Sequence, residues 1–238
     1  MAFGLVCKNG ADEFTLTSDT VLPRLLGTAT YATTVAAGGI QPGLLRYTFT
    51  YASEGLMVGI NLQVGARALI RDIRRVGSTY TIDIIHGFSL DSRGYVVPST
   101  SGLTVYCFGV GPITPSGFGL ALYNAAGECT AELSGATMPL WWKGRVSFAA
   151  NADTVTAPTG FAKLGLIANP HGYQETTEFT GLGGTPWRRR EMHKGWLLDA
   201  SFLNRVNVAT AIYDEDAPGA TSHDRPAFEA YLVELNNY

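Results

Sequence analysis

Phe3 to Thr15 reads FGLVCKNGADEFT and Phe118 to Thr130 reads FGLALYNAAGECT, with seven of thirteen positions identical and no gap. An ungapped match of that density inside one chain marks a duplication, and an internal repeat takes precedence over other fold signals. Within the first copy Phe3, Leu5 and Cys7 alternate with Gly4, Val6 and Lys8. Asn9-Gly10 then supplies a tight turn, and Phe14 and Leu16 resume the alternation. The stretch predicts a β-hairpin. In the second copy Asn124 keeps the turn entry while the glycine moves to Gly127 at its exit, which predicts a second hairpin with a longer turn.

Outward from the repeat, the 28 glycines and 11 prolines punctuate runs rich in Thr, Val, Tyr and Phe, the cadence of short antiparallel strands. Strands are expected at 44–51, 56–62, 68–74, 80–85 and 103–108, then at 118–123, 139–142, 145–149, 162–167, 202–208 and 227–235. Residues 68–76 also fit a helical period through Leu69, Ile70, Ile73 and Val76. In Arg46, Thr48 and Thr50 against Tyr47, Phe49 and Tyr51, polar and aromatic residues take opposite faces, so this sheet has one dry side. Gly109 to Gly117 holds three of the glycines and two of the prolines just before the repeat restarts, and reads as a stiff connector. The expected architecture is all-β with little helix. It comprises two tandem antiparallel β-sandwich modules, 1–110 and 118–238, joined by a linker at 111–117. Modules of this length can each bury a core without a staple. The longest unpatterned stretch, 169–194, is expected to be a long loop, with a further acidic tip at Asp214, Glu215 and Asp216.

Formal net charge is -3 and only 16% of residues are charged, against about a quarter in typical globular chains. A surface so sparing in charge suggests burial against partners, and the absence of a basic stripe argues against nucleic acid. Cys7, Cys107 and Cys129 form an odd set without C-x-x-C spacing and are expected to be free, buried thiols. A bridge from Cys7 to Cys107 would need Cα atoms within about 7 Å. Met1-Ala2-Phe3 leads straight into patterned sequence and no run of 18 apolar residues occurs, so neither a secretory leader nor a membrane-spanning helix is expected.

No catalytic, metal or cofactor site is expected. His86, His171, His193 and His223 are scattered and show no H-E-x-x-H pair, and there is neither a nucleophile elbow nor a phosphate loop. Asp214-Glu215-Asp216 opens like a calcium loop, but Pro218 stands where the fifth position needs an oxygen ligand. The unusual segment is Trp187-Arg188-Arg189-Arg190-Glu191-Met192-His193-Lys194-Gly195-Trp196, in which cations gather between two tryptophans. Arg and Trp are the residues of binding hot spots. Two uses follow, docking on a neighbouring subunit or stacking on a sugar ring; a core or loop anchor with a solvated arginine face is the plain alternative. Trp141 and Trp142 cannot both point inward on a strand, which leaves one indole for a contact surface.

The opening Gly4-Leu5, Asn9 and Glu13, the segment Leu22-Pro23-Arg24-Leu25 and the aromatic strand Leu103 to Gly109 resemble the β-rich structural proteins of siphophage tails, in the tail tip, baseplate or fibre. The resemblance covers about 40 residues. It implies a virion component made in the host cytoplasm, built into the tail in several copies, with other tail proteins and copies of itself as partners and no enzymatic role. Two competing roles are a host-receptor or carbohydrate-binding module and a glycan-cleaving tail enzyme. On the two-module reading, removal of residues 118–238 is expected to leave a first module that still folds and assembles.

Overall fold

A computed structural model describes residues 4–9, 12–17, 23–36, 43–61, 63–92, 94–111, 113–115, 117, 120–132, 142–148, 154–156, 164–168, 173–177, 187–199, 202–215 and 228–235. Among them there is no helix, and every regular element is a strand. The fold is all-β.

Both repeat copies form hairpins. β1 (Gly4–Asn9) pairs antiparallel with β2 (Asp12–Thr17), and Cys7 stands opposite Phe14. In the first half follow β3 (Arg24–Thr28), β4 (Thr30–Val35), β5 (Leu44–Thr50), β6 (Met57–Asn61), β7 (Arg67–Val76), β8 (Thr79–Gly87) and β9 (Val105–Gly109). The second copy contributes β10 (Ala121–Tyr123) and β11 (Cys129–Glu132). Its turn is built as the residues require: Asn124 Oδ1 accepts from the amides of Ala126 and Glu128, and Gly127 takes the left-handed φ of 80° that a β-carbon would disfavour. After it come β12 (Trp142–Phe148), β13 (Thr154–Thr156), β14 (Leu164–Ala168), β15 (Tyr173–Thr177), β16 (Trp187–Asp199), β17 (Phe202–Glu215) and β18 (Phe228–Glu234).

The two hairpins, β1-β2 and β10-β11, stand as two-stranded sheets of their own, and the other strands make two large sheets. One runs β12-β18-β14-β6-β9-β3; the other runs β13-β17-β16-β7-β8-β5-β4, with β15 pairing β16. Leu45, Tyr47, Ala68, Ile70, Ile82, Ile84 and Trp196 of the second sheet form one buried cluster with Val58, Ile60, Val105, Cys107 and Leu166 of the first, so the sheets pack as a sandwich. The alternation of 44–50 works as expected. Leu45 and Tyr47 are buried in this core, whereas Arg46 lies half-buried on the opposite face. Behind the first sheet a second cluster of Tyr106, Phe108, Ile167, Val233 and Leu235 is also buried. There Gly165 allows close approach, since a β-carbon would lie 2.6 Å from Leu235 Cδ1.

Three expectations change. First, among the described residues the two halves share their main buried clusters. Leu166 pairs with Ile60 and Trp196 with Ala68, so both sheets run unbroken from the first half into the second. Within each sheet, however, the strands of each half stay contiguous, and their order matches. β3-β9-β6 mirrors β12-β18-β14, and β5-β8-β7 mirrors β13-β17-β16. The duplication thus extends from the hairpin to the topology. Its two copies are zipped side by side, with the equivalent strands β6 and β14, and β7 and β16, paired antiparallel as across a two-fold axis. The 111–117 segment connects the copies but is no boundary between independent cores; Ile113 within it is buried and bridges to Cys129. Second, 187–194 is strand, and β15 lies inside the supposed loop of 169–194. Third, Trp142 and 145–148, expected on two strands, belong to the one strand Trp142–Phe148, with its irregularity between Trp142 and Gly144; 139–141 and 149 lie outside the described residues. Residues 68–76 are strand rather than helix. Cys107 and Cys129 are free and buried, as expected, and burial pushes the Cys107 thiol up to about 12, so it stays protonated and inert.

Candidate functional site

The Trp-Arg segment forms most of β16, and β16 pairs with β17 along its whole length. Thirteen residues at roughly 3.4 Å each make a ribbon about 44 Å long. Its two ends have different partners. Trp196 and Leu197 are hydrogen-bonded into the sandwich against β7, whereas 189–193 pair with β15. A register shift between His193 and Lys194 separates the two regimes.

The register also joins two features that lie far apart in sequence. Arg188 stands opposite Asp214 and Trp187 opposite Glu215, so the cationic run and the acidic tip occupy the same end of the ribbon. On the other side Arg189 faces Thr177 and Arg190 faces Thr176, and Glu191 stands opposite Glu175. Asp216 lies outside the described residues.

Trp196 is not a contact residue. Its side chain is 0% exposed, within the core shared by the two halves, which removes it from any glycan-stacking or subunit-contact set. Trp142 opens β12 opposite Val233, in the first sheet, whereas β16 is in the second. Trp141 lies outside the described residues. Of the seven residues singled out by composition, burial removes Trp196. Trp187 and Arg188 to Arg190 share the ribbon end, Trp196 is core, and Trp142 belongs to another edge.

Composition missed a charge cluster on the outer face of the second sheet. Asp83 of β8, with its side chain 5% exposed, accepts from Arg46 Nε at 2.7 Å and from Arg46 Nη2 at 2.9 Å. Arg74 of β7 binds the same carboxylate through Nη2, and its Nε reaches Asp72 Oδ2 at 2.9 Å. The bidentate fork raises the Arg46 guanidinium pKa further. Arg46 and Asp83 are direct cross-strand partners, a signal readable only once the register is known.

His86, at the end of β8, is 1% exposed. Nδ1 donates to the Ser99 carbonyl at 2.6 Å, and the Ser99 amide donates back to the His86 carbonyl at 2.9 Å, which fastens the 88–100 segment to the sheet. With the proton on Nδ1, Nε2 is a bare acceptor, buried without a partner. Burial lowers the imidazole pKa below its ordinary 6.5, outweighing the opposing Ser99 hydrogen bond. The folded chain therefore disfavours the proton. Its stability is full above about pH 6.5 and falls as pH drops below that value toward the depressed folded pKa. Urea-unfolding midpoints between pH 8 and 5 are expected to fall for the wild type. The fall should be shallower for His86→Asn, which keeps a donor for Ser99 but cannot titrate; equal slopes would refute the assignment.

Among the described residues no group of three or more His, Cys, Asp or Glu is placed to hold a metal ion. Comparison of the chain with protein-family models, curated proteins and solved structures returns no match.

Proposed function

We propose that this chain is a structural component of a bacteriophage tail, in the tip, baseplate or fibre, and acts through subunit contacts. The observation that carries the reading is a low-charge surface on which large apolar side chains stand exposed: Val76 is 82% exposed and Val64 63%, with Tyr31, Phe88, Leu90 and Val97 each between 43% and 45%. Monomeric surfaces tolerate single apolar residues, but Phe88, Leu90 and Val97 lie together on one short ribbon, where Leu90 bridges Val96 and the Val97 amide donates to Ser89. The sequence resemblance and the duplicated strand order point the same way. A receptor- or glycan-binding role is the second reading. It rests on Trp187 and Arg188 to Arg190 gathered with Asp214 and Glu215 at the ribbon end. Gold-labelled antibody against the chain is expected to decorate the tails of virions produced from the genome that encodes it. Purified particles free of the chain by mass spectrometry would overturn the proposal.

A further inference from the structure

Among the described residues β4 is the outer strand of the second sheet, paired on one side, with β5. Residues Thr30 to Thr34 are all exposed. A strand edge presents a row of main-chain donors and acceptors whose natural mate is another extended strand. Proteins usually blunt such edges with lysine, proline or an inward charge, yet no Asp, Glu, Lys, Arg or His occurs from Leu25 to Leu45, and no proline from Leu25 to Gln41. The bulge at Ala32 is the one blunting device on β4. Beside this edge Tyr31 is 44% exposed, its ring set edge-on against buried Tyr47 at 5.7 Å and its hydroxyl 2.7 Å from Thr34 Oγ1. A half-exposed tyrosine held in one orientation is a suitable interface anchor.

We infer that β4 pairs antiparallel with β4 of a second copy of this chain across a two-fold axis, continuing the sheet from one subunit into the next. The occupant follows from three observations. An uncharged strand meets its own copy without like-charge repulsion. The molecule already joins its two halves by antiparallel pairing of equivalent strands. Among the described residues the opposite end of the sheet, β13, runs for three residues against the six of β4, so this edge offers a head-to-tail joint fewer hydrogen bonds. The inference deepens the subunit-contact reading above and rests on it.

The test is sedimentation velocity with hydrogen–deuterium exchange on the full chain and on Thr33→Lys, which sets two cations against each other at the axis. The wild type is expected at twice 25.4 kDa, with the amides of Thr30–Val35 that point away from β5 becoming protected as concentration rises. Thr33→Lys is expected at the monomer mass, with those amides unprotected and its thermal midpoint near that of the monomeric wild type. A monomeric wild type at every concentration, an assembly larger than a dimer, or a dimer indifferent to Thr33→Lys with those amides exchanging freely would each overturn the inference. The last outcome leaves the tail reading standing, because association would then use another surface; virion labelling tests that reading separately.

Discussion

Replacing Trp196 by alanine is expected to destabilise the chain by about 3–5 kcal/mol, the range for truncating a large aromatic in a packed core. Among the described residues Trp196 is the largest fully buried side chain, and it sits where the halves meet, paired with Ala68 of β7. A small residue opposite a large one fills the seam efficiently, so truncation leaves a cavity that both sheets line. Neither sheet can collapse into it without breaking its ladder. Total stability for a domain is about 5–15 kcal/mol, so this one change removes a large share of it. Equilibrium unfolding in urea, followed by tryptophan-independent far-UV signal, measures the loss. A cost below about 1 kcal/mol, the level of an ordinary surface substitution, would return Trp196 to the contact surface.

The same residue shows where sequence legibility ended. Arg and Trp together are the composition of a hot spot, yet composition carries no information on which tryptophan faces water. Trp196 and Trp187 are nine positions apart on one strand, and the register places Trp196 beside Ala68 in the sandwich and Trp187 beside Glu215 at the end of the ribbon. Three consecutive arginines also hid β16 itself, because a charged run breaks the alternation by which strands are recognised; pairing with β17 specifies it instead. β4 was hidden for the opposite reason, since Thr30 to Thr34 are exposed and show no dry face to read. Strand β5 was legible because one side is dry, and both hairpins were legible because Asn-Gly chemistry acts within a few residues. The seam between the halves leaves no mark of its own, as it is made from main-chain pairing and from residues such as Ile60 and Leu166 that look like any other core. A repeat therefore announces that a module was copied, but not whether the copies stand apart.

That distinction fixes the outcome of cutting the chain after residue 117. The isolated first half keeps β3 to β9 but loses Leu166 and Trp196 from its core. Truncations of that kind cost about 2–5 kcal/mol for the leucine and 3–5 for the tryptophan, which together approach the whole stability of a domain. The cut also bares β6 and β7, two strands whose outer main-chain groups pair with β14 and β16 in the intact chain. Bare edges next to exposed apolar surface recruit other strands. Residues 1–117 alone are therefore expected to self-associate or precipitate rather than persist as a folded monomer, whereas co-expression with 118–238 should give a soluble one-to-one complex. The expectation drawn from sequence, a self-sufficient first module, is the competing outcome. Sedimentation and urea unfolding of 1–117 decide between them: a cooperatively unfolding monomer would mean that the seam is a contact between finished domains, and its absence that each copy completes the other.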